Sequence, residues 1–411
     1  MVTFHDVEQA RARIRESVYL SPCAYSEMLS RTTGTKCWLK LENLQMTGSF
    51  KERGACNKLL AMPAEERAKG VVCASAGNHA QGVAYHASRL GIDATIVMPE
   101  GTPLMKVQGT RNFGARVIMH GRGYDEADEE ARRIRDVEGR AFVHAFDDDG
   151  VIAGQGTIGL ELLEQNPYLE AVVIPIGGGG LAAGIALTIK ETNPKVKIYG
   201  VESKAAPCMR AALDANALVT VPAVRTIAEG IAVRRASERT FELVRQYLDD
   251  IVLVDEEEIA EAILVLLERE KTVAEGAGAA PLAALLNSRI PLQGKKVCLV
   301  VSGGNIDVNV ISRVIERGLV KSGRMVRLLV TIPDAPGVLA RIAGAIGECS
   351  ANILQIYHDR TFGRPGLGEA VLEVVLETRG FEHAEQVKAR LIADGYTLGV
   401  SEGLSLPPKS R

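Results

Sequence analysis

Between about residues 70 and 320, short apolar runs alternate with longer segments of helical character, and this alternation constrains the fold more than any other feature of the chain. Runs that are apolar at every position are typical of strands covered on both faces. Strands of this kind, each followed by a helix, build a mostly parallel sheet, so the sequence predicts an α/β domain. The predicted strands are Gly70–Ala74, Ala94–Met98, Ala115–Met119, Ala171–Ile176, Lys197–Val201, Ile251–Val254 and Lys296–Val301.

Glycine-rich segments directly follow three of these strands, at Ser75–Asn78, Gly177–Gly180 and Ser302–Asn305. In open α/β sheets, ligands bind beyond the carboxyl ends of the strands. The three loops therefore predict a single ligand-binding cleft.

After residue 320 the pattern changes, and Lys321–Arg324 has the character of a short linker. The segments that follow predict the order strand, helix, strand, strand, helix, strand, which fits a ferredoxin-like βαββαβ unit. They are Met325–Ile332, Pro336–Cys349, Asn352–His358, Glu369–Glu377, Glu382–Ala393 and Tyr396–Val400. We therefore predict two domains, 1–320 and 321–411.

Composition argues against several classes of protein. The net charge of −3 and the 4% of aromatic residues disfavour binding to nucleic acid. The apolar runs are too short to span a bilayer, and the first residues do not resemble a signal peptide. The seven cysteines are scattered and never form CxxC, which favours reduced thiols over disulfides or structural zinc. These features predict a cytoplasmic protein that binds neither nucleic acid nor membrane.

Four motifs could carry chemistry, and one of them, Ser302–Asn305, could place a serine against an aromatic nitrogen but is by itself equally an ordinary turn. Lys51 follows a Gly-Ser turn and opens a predicted helix, where burial and the helix N-terminus lower the pKa of an amine, as a Schiff-base lysine requires. Ser75–Gly82 and Gly177–Leu181 each lie between a strand and a helix, where backbone N–H groups converge on an anion. No Gly-Lys-Ser/Thr follows the four glycines, so a nucleotide P-loop is excluded. Taken singly, each has an ordinary structural explanation: a lone lysine is far more often a solvated surface residue, and Ser75–Gly82 is as well explained by a strand–helix turn. For Gly177–Leu181 the structural alternatives are a flexible linker, which is disfavoured between two structured segments, and close helix packing.

Taken together, in their order and spacing, four motifs resemble those of the serine/threonine dehydratase family of fold-type II enzymes, which use pyridoxal 5'-phosphate (PLP). The motifs are Ser49–Ala55, Ser75–Gly82, Gly177–Leu181 and Ser302–Asn305, and the resemblance covers roughly residues 5–320. It implies two open, twisted, mostly parallel sheets, with a smaller subdomain of about residues 47–152 inserted in the catalytic domain. It also implies conversion of L-threonine to 2-oxobutanoate and ammonia, with L-serine giving pyruvate as a side reaction.

The resemblance also assigns roles to individual residues. Lys51 is the implied catalytic residue. It would hold PLP and, once the substrate has displaced it, take the α-proton of the substrate. Asn78 would bind the ring hydroxyl, and Ser302 the pyridine nitrogen. The implied cofactor-binding residues are Phe50, Lys51, Asn78, Gly177, Gly178, Gly179, Gly180, Leu181 and Ser302. The implied residues for the substrate carboxylate are Ser75, Ala76, Gly77, Asn78 and His79.

Some positions depart from family patterns or allow two interpretations. Related racemases carry a serine base at the position of Ala76, which disfavours racemisation here. Cys208 stands where some relatives have an acidic metal ligand, so we expect no divalent metal; a monovalent cation near Glu202 stays an alternative. For His79 we favour a loop-fixing role over acid–base catalysis. For Glu275–Ala279 we favour structural packing over a place in the wall of the site.

The segment 321–411 resembles an ACT domain, on the residues Asp334–Leu339 and Ala351–Tyr357. ACT domains commonly bind amino acids at subunit contacts, which implies a homo-oligomer, a dimer or tetramer, regulated by an amino acid or a nucleotide. The candidate effector-binding residues are Asp334, Gly337, Val338, Leu339 and Asn352. The sequence does not distinguish isoleucine biosynthesis from threonine breakdown.

Three further hypotheses compete with a threonine dehydratase. One is a dehydratase directed at serine or another β-hydroxy amino acid. The others are a serine racemase and a non-catalytic amino-acid sensor. Retention of Lys51, Asn78 and Ser302 argues against the sensor.

Overall fold

The computed structural model describes residues 1–361 and 366–399, and the chain divides into two compact units, Met1–Asp307 and Val308–Arg411. The strands of the first unit are β1 (Cys23–Ser26), β2 (Lys36–Leu41), β3 (Val71–Ala74), β4 (Ala94–Met98), β5 (Arg116–Met119), β6 (Ala141–Phe142), β7 (Ala171–Pro175), β8 (Lys197–Ser203), β9 (Asp250–Val254) and β10 (Lys296–Val301). Its helices are α1 (Phe4–Ile14), α2 (Glu27–Thr33), α3 (Lys51–Ala61), α4 (Ala64–Lys69), α5 (Asn78–Arg89), α6 (Leu104–Asn112), α7 (Tyr124–Glu138), α8 (Asp149–Gln165), α9 (Gly180–Thr192), α10 (Cys208–Ala215), α11 (Glu238–Tyr247), α12 (Glu256–Arg269) and α13 (Gly276–Leu286), with 3₁₀ turns at Glu42–Leu44 and Glu229–Ile231.

Two sheets organise this unit. The larger has the strand order β1-β2-β10-β7-β8-β9, and all its neighbouring strands are parallel except β1, which pairs antiparallel with β2. The smaller, β5-β4-β3-β6, is parallel throughout. The predicted α/β architecture with mostly parallel sheets is confirmed. The strands of the smaller sheet come from residues 71–142, within the segment predicted as an inserted subdomain.

The strands read as continuously apolar are covered on both faces. Every residue of β3, β4 and β7 is buried. Apolar side chains of α8 and α9 pack with those of β7 and β8 in one core, while α3 and α5 pack with β3 and β4 in another. These two cores fix the positions at which β3, β7 and β10 end, and hence the loops that follow them.

The second unit is built on an antiparallel sheet. Its strands are β11 (Met325–Pro333), β12 (Asn352–Asp359), β13 (Glu369–Glu377) and β14 (Thr397–Gly399), and its helices are α14 (Val308–Lys321), α15 (Val338–Glu348) and α16 (Phe381–Ala393). The sheet order is β12-β13-β11-β14, and the βαββαβ order after α14 matches the prediction. Val400, the end of the predicted last strand, lies outside the described residues. The division between the units falls at Asp307, before α14, whereas the sequence places the domain boundary at residue 320.

None of the helices within 1–361 and 366–399 combines the length and the apolar character needed to cross a membrane.

Candidate active site

The loop before Lys51 is held against the loop that follows β10. The N–H of Phe50 donates to the carbonyl of Ser302 at 3.0 Å, and the N–H of Gly304 donates to the carbonyl of Gly48 at 2.9 Å. Between these contacts, Ser49 and Gly303 form an antiparallel bridge. Two predicted motifs that are some 250 residues apart in the sequence are thereby adjacent, and Ser302 is buried beside the start of α3.

Lys51 is the first residue of α3, and its amine has the properties of a nucleophile. Burial lowers its pKa to about 8, against the opposing attraction of the Glu275 carboxylate. The amine donates to the carbonyl of Ala145 at 2.7 Å and lies 5.2 Å from the centre of the Phe50 ring. A larger fraction of Lys51 than of a solvated lysine is therefore uncharged near neutral pH, and the uncharged form is the one that attacks a carbonyl.

A buried network of charges anchors the first turn of α3. Arg53 is completely buried and donates to both carboxylate oxygens of Glu42, at 2.7 and 2.8 Å, and to both of Glu161, at 2.6 and 2.9 Å. Lys40, also completely buried, donates to Glu161 at 2.5 Å. Two cations and two carboxylates from β2, its following 3₁₀ turn, α3 and α8 thus compensate one another. The network fixes the helix that begins with Lys51.

The four glycines after β7 form a tight cradle at the start of α9. Gly179 has a φ of +91°, a conformation that residues with a side chain rarely adopt. A Cβ on Gly178 would lie 2.4 Å from ring atoms of Phe146, so the ring packs directly on the loop. Phe146 follows Ala145, the acceptor for Lys51, and this pair therefore links the cradle to the lysine. The first N–H groups of a helix have no partner within the helix, and α9 offers them here to an anion.

The asparagine loop joins β3 to α5. The N–H of Ser75 extends the pairing with β4 through the carbonyl of Val97, and its hydroxyl accepts the N–H of Gly77 at 3.3 Å. The segment Ser75–Asn78 is only partly buried, so it is accessible to a ligand. His79 is buried, its Nε2 lies 2.8 Å from the carbonyl of Val143, and burial lowers its pKa to about 3. A neutral ring that holds a backbone carbonyl suits the loop-fixing role better than acid–base catalysis.

Two side chains that bond Asn78, those of Glu275 and Asn305, had no role assigned from the sequence, although both lie in segments that it singled out. Asn78 donates to Glu275 at 2.7 Å and accepts from Asn305 at 2.8 Å. Burial raises the pKa of Glu275 to about 7. Glu275 stands directly before α13, whose Gly276 and Gly278 do pack closely against neighbouring backbone, as expected. The Glu-Gly-Ala-Gly pattern signalled that packing but not the carboxylate's contact with Asn78.

Glu202, near which a monovalent cation is an alternative, accepts two backbone hydrogen bonds at the start of α10. Glu202 is buried, and its oxygens accept the N–H groups of Met209 at 2.9 Å and Arg210 at 2.8 Å. Burial raises its pKa to about 7. These contacts anchor the start of α10, and the monovalent cation stays a prediction. Among the described residues, no group of three or more His, Cys, Asp or Glu side chains is arranged to hold a metal.

The candidate effector residues lie in the second unit and fall into two groups. Asp334 accepts from Arg360 at 3.0 Å near the end of β12, and Gly337, with a φ of +83°, precedes Val338 and Leu339 at the start of α15. Asn352 begins β12 and bonds Glu377 at 3.3 Å. The eight residues of β12 span roughly 23 Å, so one chain does not bring Asp334 and Asn352 together.

The site in the first unit fits PLP. Lys51 supplies an amine with a lowered pKa, and the Gly177–Gly180 cradle supplies backbone donors for a phosphate without side chains that would fill it. Asn78 supplies an amide whose orientation is fixed by two partners, and Ser302 a buried hydroxyl. Leu181, in the first turn of α9, is buried.

Comparison with known proteins gives concordant results. Residues 14–303 match the family model described as pyridoxal-phosphate dependent enzyme. The chain is 50% identical over 400 residues to an L-threonine ammonia-lyase of Thermotoga maritima, covering 97% of this chain and all of the relative. It is similar to a solved structure of threonine deaminase isoform 2 from Solanum lycopersicum, with a TM-score of 0.73 and 37% identity over 76% of this chain and 87% of that one. A structure of maize serine racemase matches with a TM-score of 0.74 and 33% identity over 77% of this chain and 98% of that one.

Proposed function

The chain belongs to the family of pyridoxal-phosphate dependent enzymes, and from this membership we propose that it is an L-threonine ammonia-lyase. It converts L-threonine to 2-oxobutanoate and ammonia, and L-serine to pyruvate and ammonia as a side reaction. The observation that carries the proposal is the 50% identity to L-threonine ammonia-lyases over nearly the whole chain, together with a site that fits PLP. The second unit contributes to this similarity because the matched relative is covered in full.

Each part of the site has a distinct task. PLP, when bound, supplies an electron sink for negative charge at the α-carbon of the amino acid. Lys51 holds the cofactor, and its neutral amine then accepts the α-proton of the substrate, since its pKa of about 8 suits a base near neutral pH. Gly177–Gly180 would bind the phosphate through backbone N–H groups, Asn78 would hold the ring hydroxyl, and Ser302 the pyridine nitrogen.

The substrate carboxylate binds at Ser75–His79, where the start of α5 offers backbone donors and positive potential. Loss of the β-hydroxyl as water leaves an enamine product, which hydrolyses to the 2-oxo acid and ammonia. The water lost in the first stage is regained in the second, so the overall reaction is a deamination. Ala76 has no group that could carry a proton on the opposite face, which argues against racemisation.

We also propose that the second unit is a regulatory ACT domain. Its antiparallel sheet with the order β12-β13-β11-β14 and its βαββαβ sequence of elements support this assignment. An amino-acid effector that contacts both Asp334 and Asn352 would have to bind between two copies, because Asn352 begins β12 whereas Asp334 bonds Arg360, just beyond the other end of that strand. The enzyme is accordingly proposed to be a homodimer or homotetramer.

One observation supports the proposed oligomer, and another supports a location in the cytoplasm. The side chain of Gln45 accepts from the N–H of Tyr19 and donates to its carbonyl, and the residues beside this pair, Leu20, Leu44 and Met46, have exposed apolar side chains. Exposed apolar side chains that cluster on a surface are typical of an association site. All seven cysteines are free thiols, which fits a reducing cytoplasm.

The test is a product assay. Purified protein with PLP is incubated with L-threonine, and 2-oxobutanoate and ammonia are measured beside Lys51→Ala and, as a matched control, Lys69→Ala, an exposed lysine. Equal amounts of both products in the wild type and in Lys69→Ala, and none in Lys51→Ala, are expected. Turnover of L-serine without L-threonine would overturn the substrate, and D-amino acid as the main product would make the protein a racemase. Absence of cofactor absorbance after reconstitution would leave the sensor hypothesis.

A further inference from the structure

Building on the proposed function, we propose that Glu275 is a positioning residue, which sets the orientation of the Asn78 amide and through it the contact of that amide with the cofactor ring. Glu275 lies 197 residues after Asn78 in the sequence and is neither a cofactor nor a substrate ligand in the site described above. The inference follows from the donor and acceptor directions in a series of hydrogen bonds that joins the side chains of Asn305, Asn78 and Glu275.

The series of hydrogen bonds starts at a backbone carbonyl oxygen, which can only accept a hydrogen bond. The carbonyl oxygen of Thr47 receives a hydrogen bond from Asn305 at 2.7 Å, so the amide nitrogen of Asn305 must face it. The same nitrogen lies 2.8 Å from Asn78, and therefore faces the amide oxygen of Asn78. The amide nitrogen of Asn78 is consequently directed to Glu275, at 2.7 Å.

Glu275 closes this series of hydrogen bonds at the other end. A carboxylate only accepts, so an ionised Glu275 also demands the nitrogen of Asn78. When Glu275 is ionised, the orientation of Asn78 is thus specified twice, by an acceptor-only carbonyl and by an acceptor-only carboxylate. An amide nitrogen carries two hydrogens, and Glu275 takes one. The other remains as a donor in a fixed direction, which is what an oxygen on the cofactor ring requires.

The surroundings of Glu275 are shaped for this task. Its own N–H donates to the carbonyl of Gly303 at 3.0 Å, which ties it to the loop that follows β10. A Cβ on Gly303 would lie 2.6 Å from the Glu275 carboxylate, and a Cβ on Gly230 would lie 3.1 Å from it. The Glu275 side chain therefore occupies space that is available only because both neighbours are glycines. The charged groups that act on it are Lys51 and Lys106, which favour its ionised form, and Glu229, which opposes it.

The experiment measures PLP affinity, by titrating apoenzyme with PLP and following cofactor absorbance. Glu275→Ala is expected to weaken binding about tenfold, the usual effect of losing a hydrogen bond to a charged group. Glu275→Gln keeps an acceptor for Asn78 and should restore most of the affinity. Glu229→Gln removes a neighbouring charge without touching Asn78, and should bind PLP within twofold of the wild type.

A double-mutant cycle decides whether Glu275 acts through Asn78. In an Asn78→Ala background, Glu275→Ala should cause no further loss, because the amide it orients is gone. Additive losses, or an unchanged affinity in Glu275→Ala, would overturn the proposal. If Glu275→Ala does not fold, Asn305→Ala removes the other anchor and must show the same dependence on Asn78. None of these readouts needs turnover, so they stand even if L-threonine is not the substrate.

Discussion

Replacing Arg53 with methionine should destabilise the first unit by roughly 3–5 kcal/mol, the usual cost of removing one partner from a buried ion pair. The change deletes four hydrogen bonds to carboxylates and leaves Glu161 with Lys40, but Glu42 with no cation that bonds it directly. Burial alone would raise the pKa of Glu42, and in the wild type Arg53 holds it below its usual value instead.

The loss should depend on pH in a direction that packing alone does not produce. Without Arg53, the pKa of Glu42 rises above its unfolded value, so the folded variant binds a proton that the unfolded chain releases. Its stability then falls as pH rises. We expect the full deficit at pH 8 and a clearly smaller one at pH 5.5, where protonation of Glu42 relieves the unpaired charge.

Urea unfolding measures this effect, because the single tryptophan, Trp38, lies on β2 two residues from Lys40 and reports on the unit that contains the network. The matched control is Arg31→Met, which breaks an exposed ion pair with Glu27 and should change the free energy of unfolding by less than about 0.5 kcal/mol. A deficit below about 1 kcal/mol at pH 8, or one that is equal at both pH values, would refute the reasoning.

Two further predictions concern the cofactor. Gly178→Ala places a Cβ 2.4 Å from the Phe146 ring, and should lower PLP affinity about tenfold or more because the ring or the loop must move. The control is Gly109→Ala, in α6 with open space around it, which should leave the affinity unchanged in the same absorbance titration. Because only an uncharged amine attacks an aldehyde, the rate at which PLP is incorporated into apoenzyme should rise with pH through a midpoint near 8, the pKa to which burial lowers Lys51. Stopped-flow absorbance measures it, and a midpoint near 10.5, that of a solvated lysine, would contradict this assignment.

The fold was predictable because its strands are buried on both faces and therefore continuously apolar. Lys296–Val301 and Ala94–Met98 have the predicted bounds, and the loops after β3 and β10 converge as the carboxyl ends of parallel strands should. The strand order was not predictable, since it depends on which runs pair, and β10 inserts between β2 and β7.

The parts of the site that escaped prediction are joined by contacts between distant segments. Arg53 and Glu161 are 108 residues apart, and neither a motif nor the hydrophobic periodicity of the sequence predicts that they pair. Phe146 lies after β6 in a segment without a recognisable motif. Its packing against Gly178 is visible only in the structure. Local patterns identified the loops that offer backbone groups, whereas the side chains that orient those groups come from elsewhere in the chain.

The length of β12, which separates Asn352 from the end of the strand near Asp334, bears on how regulation depends on enzyme concentration. A free amino acid is far shorter than this strand, so an effector that touches both residues binds only where two chains meet. A ligand that binds the assembled form alone stabilises it by mass action. Effector sensitivity would then rise with enzyme concentration, and dilution would weaken the response before any residue of the effector site is altered.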